Sequence, residues 1–365
     1  MKVVFDIDDT ICKTINRDYY NSISDTQVIE KLNYLHDVLG FEIELYTSRG
    51  MVSCNGDMEK IISKNQAILV EWLKKNNVHY DKLTFGKPIA DLYVDDKGIS
   101  IDEFMVSQYY ELSGGSGKKV YRVGGKVKKE LGSEKDKFDF QLWEIENKGF
   151  CKTPKIYSYL YNSVYMEYIE GHILKDGIGF KELNSIVEII EGFKTCKYDS
   201  FIANNMLEIL NKNYSEDVEM NGIIDTCKSK LFNILDVLNS NATFCHGDCT
   251  LSNIIKSNGE YYFFDQRFDR QASSYLLDFA KLKMSIDGYE ERFGLTKFSI
   301  PYQIKESYNI YLKTHNIHDY VTILELMYIC RLYRYKSKEE KYLVKKFAKE
   351  VIKQNAKLFE RPKEG

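Results

Sequence analysis

The stretch His246–Phe268 reads HGDCTLSNIIKSNGEYYFFDQRF, and its reading decides the fold of roughly the last two-thirds of the chain. Asp248, a carboxylate able to accept a hydroxyl proton, is followed five residues on by the amide of Asn253. The aromatic run Tyr261-Tyr262-Phe263-Phe264 then closes on a second carboxylate, Asp265. Phosphoryl transfer from a nucleotide needs this set: a base that orients the acceptor, with an amide and a carboxylate holding Mg²⁺ against the phosphates. His246 reads as a structural residue that orients the loop.

The spacing HGDxxxxN ahead of an apolar strand ending in Asp resembles the catalytic loop and metal-binding Asp of the aminoglycoside phosphotransferase and choline kinase superfamily, where it stands in place of the HRDxxxxN of protein kinases. The resemblance implies a bilobal α+β, protein-kinase-like domain over residues 111–365, with an N-lobe at 111–170 and a C-lobe at 171–365. It also implies Asp248 as catalytic base, Asn253 and Asp265 as Mg²⁺ ligands, and ATP, or alternatively GTP, as donor to an alcohol acceptor.

Upstream, Gly114, Gly115, Ser116 and Gly117 precede VYRVGG and KVKKEL, two short strands around Gly124-Gly125 that signal a hairpin. A Gly-rich turn followed by a strand Lys resembles the nucleotide-covering loop of kinases, with Ser116 at the nucleotide; no Walker A follows. The alignment places Lys129 on the phosphates. Lys128 is the alternative, because a one-residue slip exchanges the two faces of a strand. Glu144, in competition with Asp139, is the expected acidic partner from a helix over Glu134–Asn147. The run Val164–Gly171 looks like the strand and hinge between lobes, where Met166, Glu167 and Tyr168 meet the base. Residues 178–240 and 301–365 read as helices. Leu277–Leu282 (LDFAKL) resembles the family's helix after the metal Asp, with Asp278 bonded to the catalytic loop. Arg267 and Arg270 are placed either to contact an acidic acceptor or to sit in salt bridges.

The first 110 residues have a different pattern. Lys2–Asp8 is a β-branched and aromatic run that delivers acids to a strand end, as a buried parallel strand does. A helix begins at Asp25 or Thr26 and carries Val28, Leu32, Leu35 and Leu39 up to Gly40. A second strand, Phe41–Tyr46, ends in Thr47-Ser48-Arg49-Gly50, and a helix follows over Met58–Asn76. Strands at Lys82–Phe85 and Leu92–Val94 end near Lys87 and at Asp95-Asp96. This order predicts a Rossmann-like α/β sheet with one site along its edge.

These strand ends resemble, in order, the four motifs of the haloacid dehalogenase (HAD) superfamily: Asp6-x-Asp8-x-Thr10, Thr47, Lys87 and Asp95-Asp96. The resemblance implies a Mg²⁺-dependent phosphatase on residues 1–110 acting on a small phosphorylated substrate. Asp6 is then the nucleophile and Asp8 protonates the leaving oxygen. Thr47 and Lys87 hold the phosphoryl group, and Asp6, Asp8, Asp95 and Asp96 form the metal shell. The insertions after Asp8 and Thr47 are too short for a large cap. The spelling GKPxxDLYVDDKG is similar to small HAD phosphatases of bacterial capsule and surface-polysaccharide pathways.

At 365 residues with a formal net charge of −3, the chain has room for two cores and shows neither a nucleic-acid footprint nor a polybasic membrane anchor. The eight scattered cysteines fit reduced thiols in a cytoplasmic protein. The expectation is a bifunctional enzyme, a phosphatase fused to a small-molecule kinase, that changes phosphate position on a polyol, hydroxy acid or sugar. The alternatives are a kinase with a repair or regulatory HAD domain and an inactive binding or scaffold protein.

Overall fold

The structure, a computed structural model, describes residues 1–16, 18–90, 98–106, 109–112, 119–123, 125–160, 163–198, 203–267 and 273–360. The expected strand Leu92–Val94, the metal candidates Asp95 and Asp96, the turn around Ser116, and Arg270 lie outside the described residues. The chain divides into two compact units: Met1–Glu130 with Val164–Met166, and Leu131–Ser163 with Glu167–Gly365.

In the first unit β1 (Lys2–Phe5) is followed by α1 (Thr26–Asn33). Asp25 caps α1 by accepting from Val28 N at 3.1 Å, which satisfies one of the amides a helix start leaves without partners. The expected helix to Gly40 does not continue as one α-helix, because Tyr34–Val38 is wound as a π-helical turn. β2 (Glu42–Thr47), α2 (Met58–Lys75) and β3 (Lys82–Phe85) complete the pattern. The three strands lie parallel in the order β1-β2-β3, with Val3 opposite Ile43 and Leu45 opposite Leu83. Ile43 and Leu45 are fully buried with Leu32, Leu35 and Leu69. Trp72 of α2 packs in the same core and donates its indole N–H to Ser22 O at 2.8 Å. Parallel strands running the same way bring Phe5, Thr47 and Phe85 to one edge, and the residues just beyond them follow.

The same unit holds an antiparallel set: β4 (Tyr109–Leu112), β5 (Val120–Val123) and β6 (Lys126–Glu130). The hairpin of β5 and β6 is the expected one. The expected boundary at residue 110 falls within β4.

The second unit begins with α3 (Glu134–Asn147), capped by Ser133 accepting from Asp136 N at 3.1 Å. Helices α4 (Phe180–Gly192), α5 (Ala203–Asn211) and α6 (Val218–Phe232) follow. β7 (Ile254–Ser257) and β8 (Glu260–Phe263) then form a hairpin whose tip, Asn258-Gly259, has φ of 49° and 82°. Two left-handed residues at a two-residue turn match the twist of the flanking strands. The chain continues through α7 (Tyr275–Ile286), α8 (Tyr302–Thr314), α9 (His318–Leu332) and α10 (Lys338–Gln354). Every residue of α7 is buried, so it is the central helix of this unit, and α9, with ten buried residues, packs along it. A helix buried on all sides holds its polar residues in fixed places. Two of these, Asp278 and Lys281, face the catalytic-loop candidate. Among the described residues no helix is long and apolar enough to cross a membrane.

Candidate active sites

The strand ends of the first unit bring Asp6, Asp8, Thr47 and Lys87 together. Lys87 Nζ lies 3.0 Å from Asp6 Oδ2, and the Lys87 amide donates to Thr47 O at 3.1 Å. Thr47 is fully buried and its Oγ1 accepts from Arg49 N at 3.1 Å. Asp8 is gripped on both oxygens: Arg49 Nε donates to Oδ2 and Nη2 to Oδ1, each at 2.9 Å, while Thr14 Oγ1 donates to Oδ1 at 2.5 Å. Arg49 is buried, with its guanidinium 4.6 Å from the Tyr19 ring.

A guanidinium fork matches a carboxylate in two parallel bonds and fixes its plane. The plane of the Asp8 carboxylate is thereby fixed, and among the described residues Oδ1 is the more heavily bonded oxygen. Asp6 has a lysine beside it, as a carboxylate must when it is to approach a phosphate without charge repulsion. Hard oxygen donors of this kind suit Mg²⁺. The sequence reading named Arg49 at the strand end and gave it no role. The signal was a lone Arg two residues after Thr47, where the chain leaves a buried strand.

The second unit assembles Asp248, Asn253, Asp265 and Asp278. Asp278, fully buried at the start of α7, accepts from the amides of His246 at 2.6 Å and Gly247 at 2.8 Å. Burial pushes its carboxyl up to about 7 against the pull of those two amides. The loop is pinned from the other side by Arg267 N donating to His246 O at 3.0 Å, and by Trp143 Nε1 donating to Cys245 O at 2.9 Å. His246 is fully buried, its ring edge-on to Trp143 and Phe263, with centroids 5.7 Å away in each case. The structural role expected of it agrees with that packing.

Gly247 has φ +81°, and a Cβ on it would lie 1.9 Å from Arg267 O, so only glycine fits. Asn253 donates Nδ2 to Asp248 O at 2.9 Å. That bond fixes the orientation of the amide. Asp265, just beyond β8, has φ +61°, a conformation non-glycine residues hold only where their surroundings impose it. An amide oxygen and a carboxylate are the hard donors Mg²⁺ takes.

Two cations meet Asp248: Lys281 Nζ lies 2.8 Å from Oδ1, and Arg267 Nε 3.5 Å from Oδ2. Burial pushes the Asp248 carboxyl up, but Lys281 and Arg267 outweigh it and hold the group below the usual carboxylate range. Lys281 is buried, its ammonium 4.3 Å from the Tyr328 ring. The sequence reading quoted Lys281 only within LDFAKL. Its signal was the spacing, since residues three apart share a helix face and Lys281 must follow Asp278 toward the loop.

The nucleotide-side candidates divide. Of the two lysines on β6, Lys128 is the buried one, its ammonium 5.9 Å from the Tyr121 ring and its pKa lowered by burial. Lys129 is half-buried, so the alternative of a one-residue slip points to Lys128 as the inward face. Within the second unit Glu144 accepts from Gln266 Nε2 at 2.9 Å and Thr153 Oγ1 at 3.4 Å, and burial pushes its carboxyl up to about 7. Asp139 is half-buried on the same helix. In the hinge candidate, Met166 is buried, and Tyr168 is half-buried. Glu167 N donates to Lys155 O at 2.8 Å, so that amide is committed to the protein.

No family model matches the chain, and no curated protein matches it. Among solved structures, a target protein from Vibrio cholerae whose name states no activity is 35% identical, covering 29% of this chain and 89% of its own, with a TM-score of 0.28. A thermostable mutant of the aminoglycoside phosphotransferase APH(4)-Ia is 12% identical, covering 70% of this chain and 98% of its own, with a TM-score of 0.49. A choline/ethanolamine kinase family protein from Mesorhizobium loti is 12% identical, covering 70% of this chain and 90% of its own, with a TM-score of 0.45.

Proposed function

We propose that the chain is a bifunctional phosphoryl-handling enzyme, with a HAD-type phosphatase on residues 1–110 and a nucleotide-dependent small-molecule kinase on residues 111–365. The observation that carries the kinase reading is the loop around Asp248. Its carboxylate is held between Lys281 and Arg267, and its carbonyl is bonded to Asn253. Asp248 orients the acceptor hydroxyl and takes its proton as the γ-phosphoryl group is transferred. Asn253 and Asp265 would hold Mg²⁺, which supplies neutralisation of the phosphate charge. ATP is the donor on this reading, with GTP the alternative; Lys128 or Lys129 serves the phosphates, and Met166–Tyr168 the base.

In the phosphatase, Asp6 attacks phosphorus with Lys87 beside it, and the phosphoryl group is held by Lys87 and Thr47. Asp8, oriented by Arg49, delivers a proton to the leaving oxygen. Asp6 and Asp8, with Asp95 and Asp96, would hold the metal. The two activities act on different positions of a polyol, hydroxy acid or sugar, since a shared position would only consume nucleotide. Synthesis of a surface polysaccharide is the setting that fits the spelling of the first domain.

Two assays separate the halves. Mg²⁺-dependent binding of a fluorescent ADP analogue is expected to weaken at least tenfold in Asp265→Ala, and equal binding by the variant would remove the kinase site. Hydrolysis of p-nitrophenyl phosphate is expected from the wild type and not from Asp6→Asn. Equal rates in the two would remove the phosphatase site.

A further inference from the structure

Two cations converge on the one carboxylate at the centre of the kinase loop. Lys281 lies 2.8 Å from Asp248 Oδ1 and Arg267 3.5 Å from Oδ2. Other acids close by are committed to the protein. Asp278 takes the amides of His246 and Gly247. Glu290 takes Ser285 Oγ at 2.7 Å, and Ser252 N and Oγ at 3.3 Å. Asp265, two residues before Arg267, adds a second carboxylate that acts on the Arg267 guanidinium, so placement rather than net charge distinguishes the two cations.

The two cations differ in placement. The Lys281 side chain is 10% exposed, anchored on buried α7 and seated over Tyr328, so it serves the base from within. The Arg267 side chain is 48% exposed and follows the Asp265 turn, so it meets what comes from solvent. A guanidinium carries five N–H donors, and the contact with Asp248 uses Nε. Its fork is suited to bidentate recognition of a carboxylate or a phosphate. An amino alcohol brought to the exposed face of Arg267 would meet a like charge.

We infer that the acceptor of the kinase site is an anionic alcohol, a hydroxyl compound that bears a carboxylate or a phosphate, oriented by Arg267 against Asp248. This rests on the kinase reading above. The acceptor oxygen bonds to the γ-phosphorus, its proton passes to Asp248, and the bond from the γ-phosphorus to the bridging oxygen breaks to release the nucleoside diphosphate. Arg267 takes no part in the bond changes. It sets which hydroxyl lies within reach.

The test uses the full chain with Mg-ATP, following ADP formation and phosphorus NMR. Its acceptor panel has four arms: hydroxy acids, polyol monophosphates, neutral polyols, and amines such as ethanolamine, choline and an aminoglycoside. Turnover is expected in one of the first two arms, and which of them responds tells carboxylate from phosphate. Arg267→Gln is expected to raise the acceptor KM roughly ten- to hundredfold, the loss of a charged hydrogen bond, while the KM for ATP changes less than about twofold. Arg267→Lys, which keeps the charge, recovers part of the loss. Turnover of amines or neutral polyols with a KM that Arg267→Gln leaves unchanged overturns the inference while the kinase reading stands. If the wild type neither binds nor consumes nucleotide, the kinase reading fails and the inference with it.

Discussion

Gly247→Ala tests whether the loop geometry around Asp248 is as tight as described. The glycine sits at φ +81°, and an added Cβ would lie 1.9 Å from Arg267 O, 2.9 Å from its carbonyl carbon and 3.4 Å from its Cα. These are backbone atoms, so no side chain can swing away to make room. Relief requires the loop or the segment at Arg267 to move by more than an ångström. The left-handed backbone alone costs an L-residue about 1–2 kcal/mol. A shift of that size also breaks a hydrogen bond to the Asp278 carboxylate, about 1.5–3 kcal/mol for a bond to a charged group. The sum is on the order of 3–5 kcal/mol, and at about 2–4 °C per kcal/mol it lowers Tm by roughly 10 °C. Thermal unfolding by circular dichroism reads the stability, and nucleotide turnover reads the displaced Asp248. A variant that melts within about 2 °C of wild type and keeps its turnover would refute the reasoning.

Three further outcomes follow from the same geometry. Lys281→Met removes the nearer cation from Asp248, so kcat should fall by about 10² and the acidic limb of the pH–rate profile should move to higher pH. A profile that keeps its position would mean Lys281 does not act on Asp248. Glu144 has its carboxyl raised by burial to about 7 from an ordinary 4.5, so its contribution to stability is full below about 4.5 and is lost as pH rises through about 7. Tm of Glu144→Gln relative to wild type should therefore be higher at pH 8 than at pH 5, and a constant difference contradicts the burial argument. Arg49→Met leaves the Asp8 carboxylate with Thr14 and the Cys12 thiol as its hydrogen-bonded side-chain partners among the described residues. p-Nitrophenyl phosphate hydrolysis should drop by about 10², with a lower Tm because a part-buried ion pair is broken. An unchanged rate would remove Arg49 from the site.

How far the sequence could be read depended on whether the deciding force is local. Asp25, Asp57 and Ser133 each cap the helix that follows, and capping chemistry is visible in a few residues. The spacing of Asp248, Asn253 and Asp278 was legible for the same reason, because the loop and the start of α7 are short segments with fixed polar roles. The hairpin of β7 and β8 went unread although Asn258-Gly259 is a strong turn signal; the aromatic run after it drew the strand assignment, and Ile254–Ser257 before it was left out. Lys281 was obscured by the apolar residues around it, and its role appears only when α7 is buried on every side. Arg49 depends on tertiary placement, since nothing within ten residues of it predicts that Asp8 is its partner. The same holds for His36 and His79, which stand 2.7 Å from opposite oxygens of Asp37 although α2 separates them in the chain.

The measurement that bears most directly on the account is phosphorus NMR of the purified chain with Mg-ATP and a panel of alcohols and their monophosphates, run beside Asp6→Asn and Asp248→Asn. The account predicts that Asp6→Asn still transfers the γ-phosphoryl group and accumulates a species with one phosphate more than the wild type leaves. Asp248→Asn should release inorganic phosphate from a monophosphate and transfer none. Loss of both activities in either variant, or neither activity in a wild type that binds nucleotide, would contradict it.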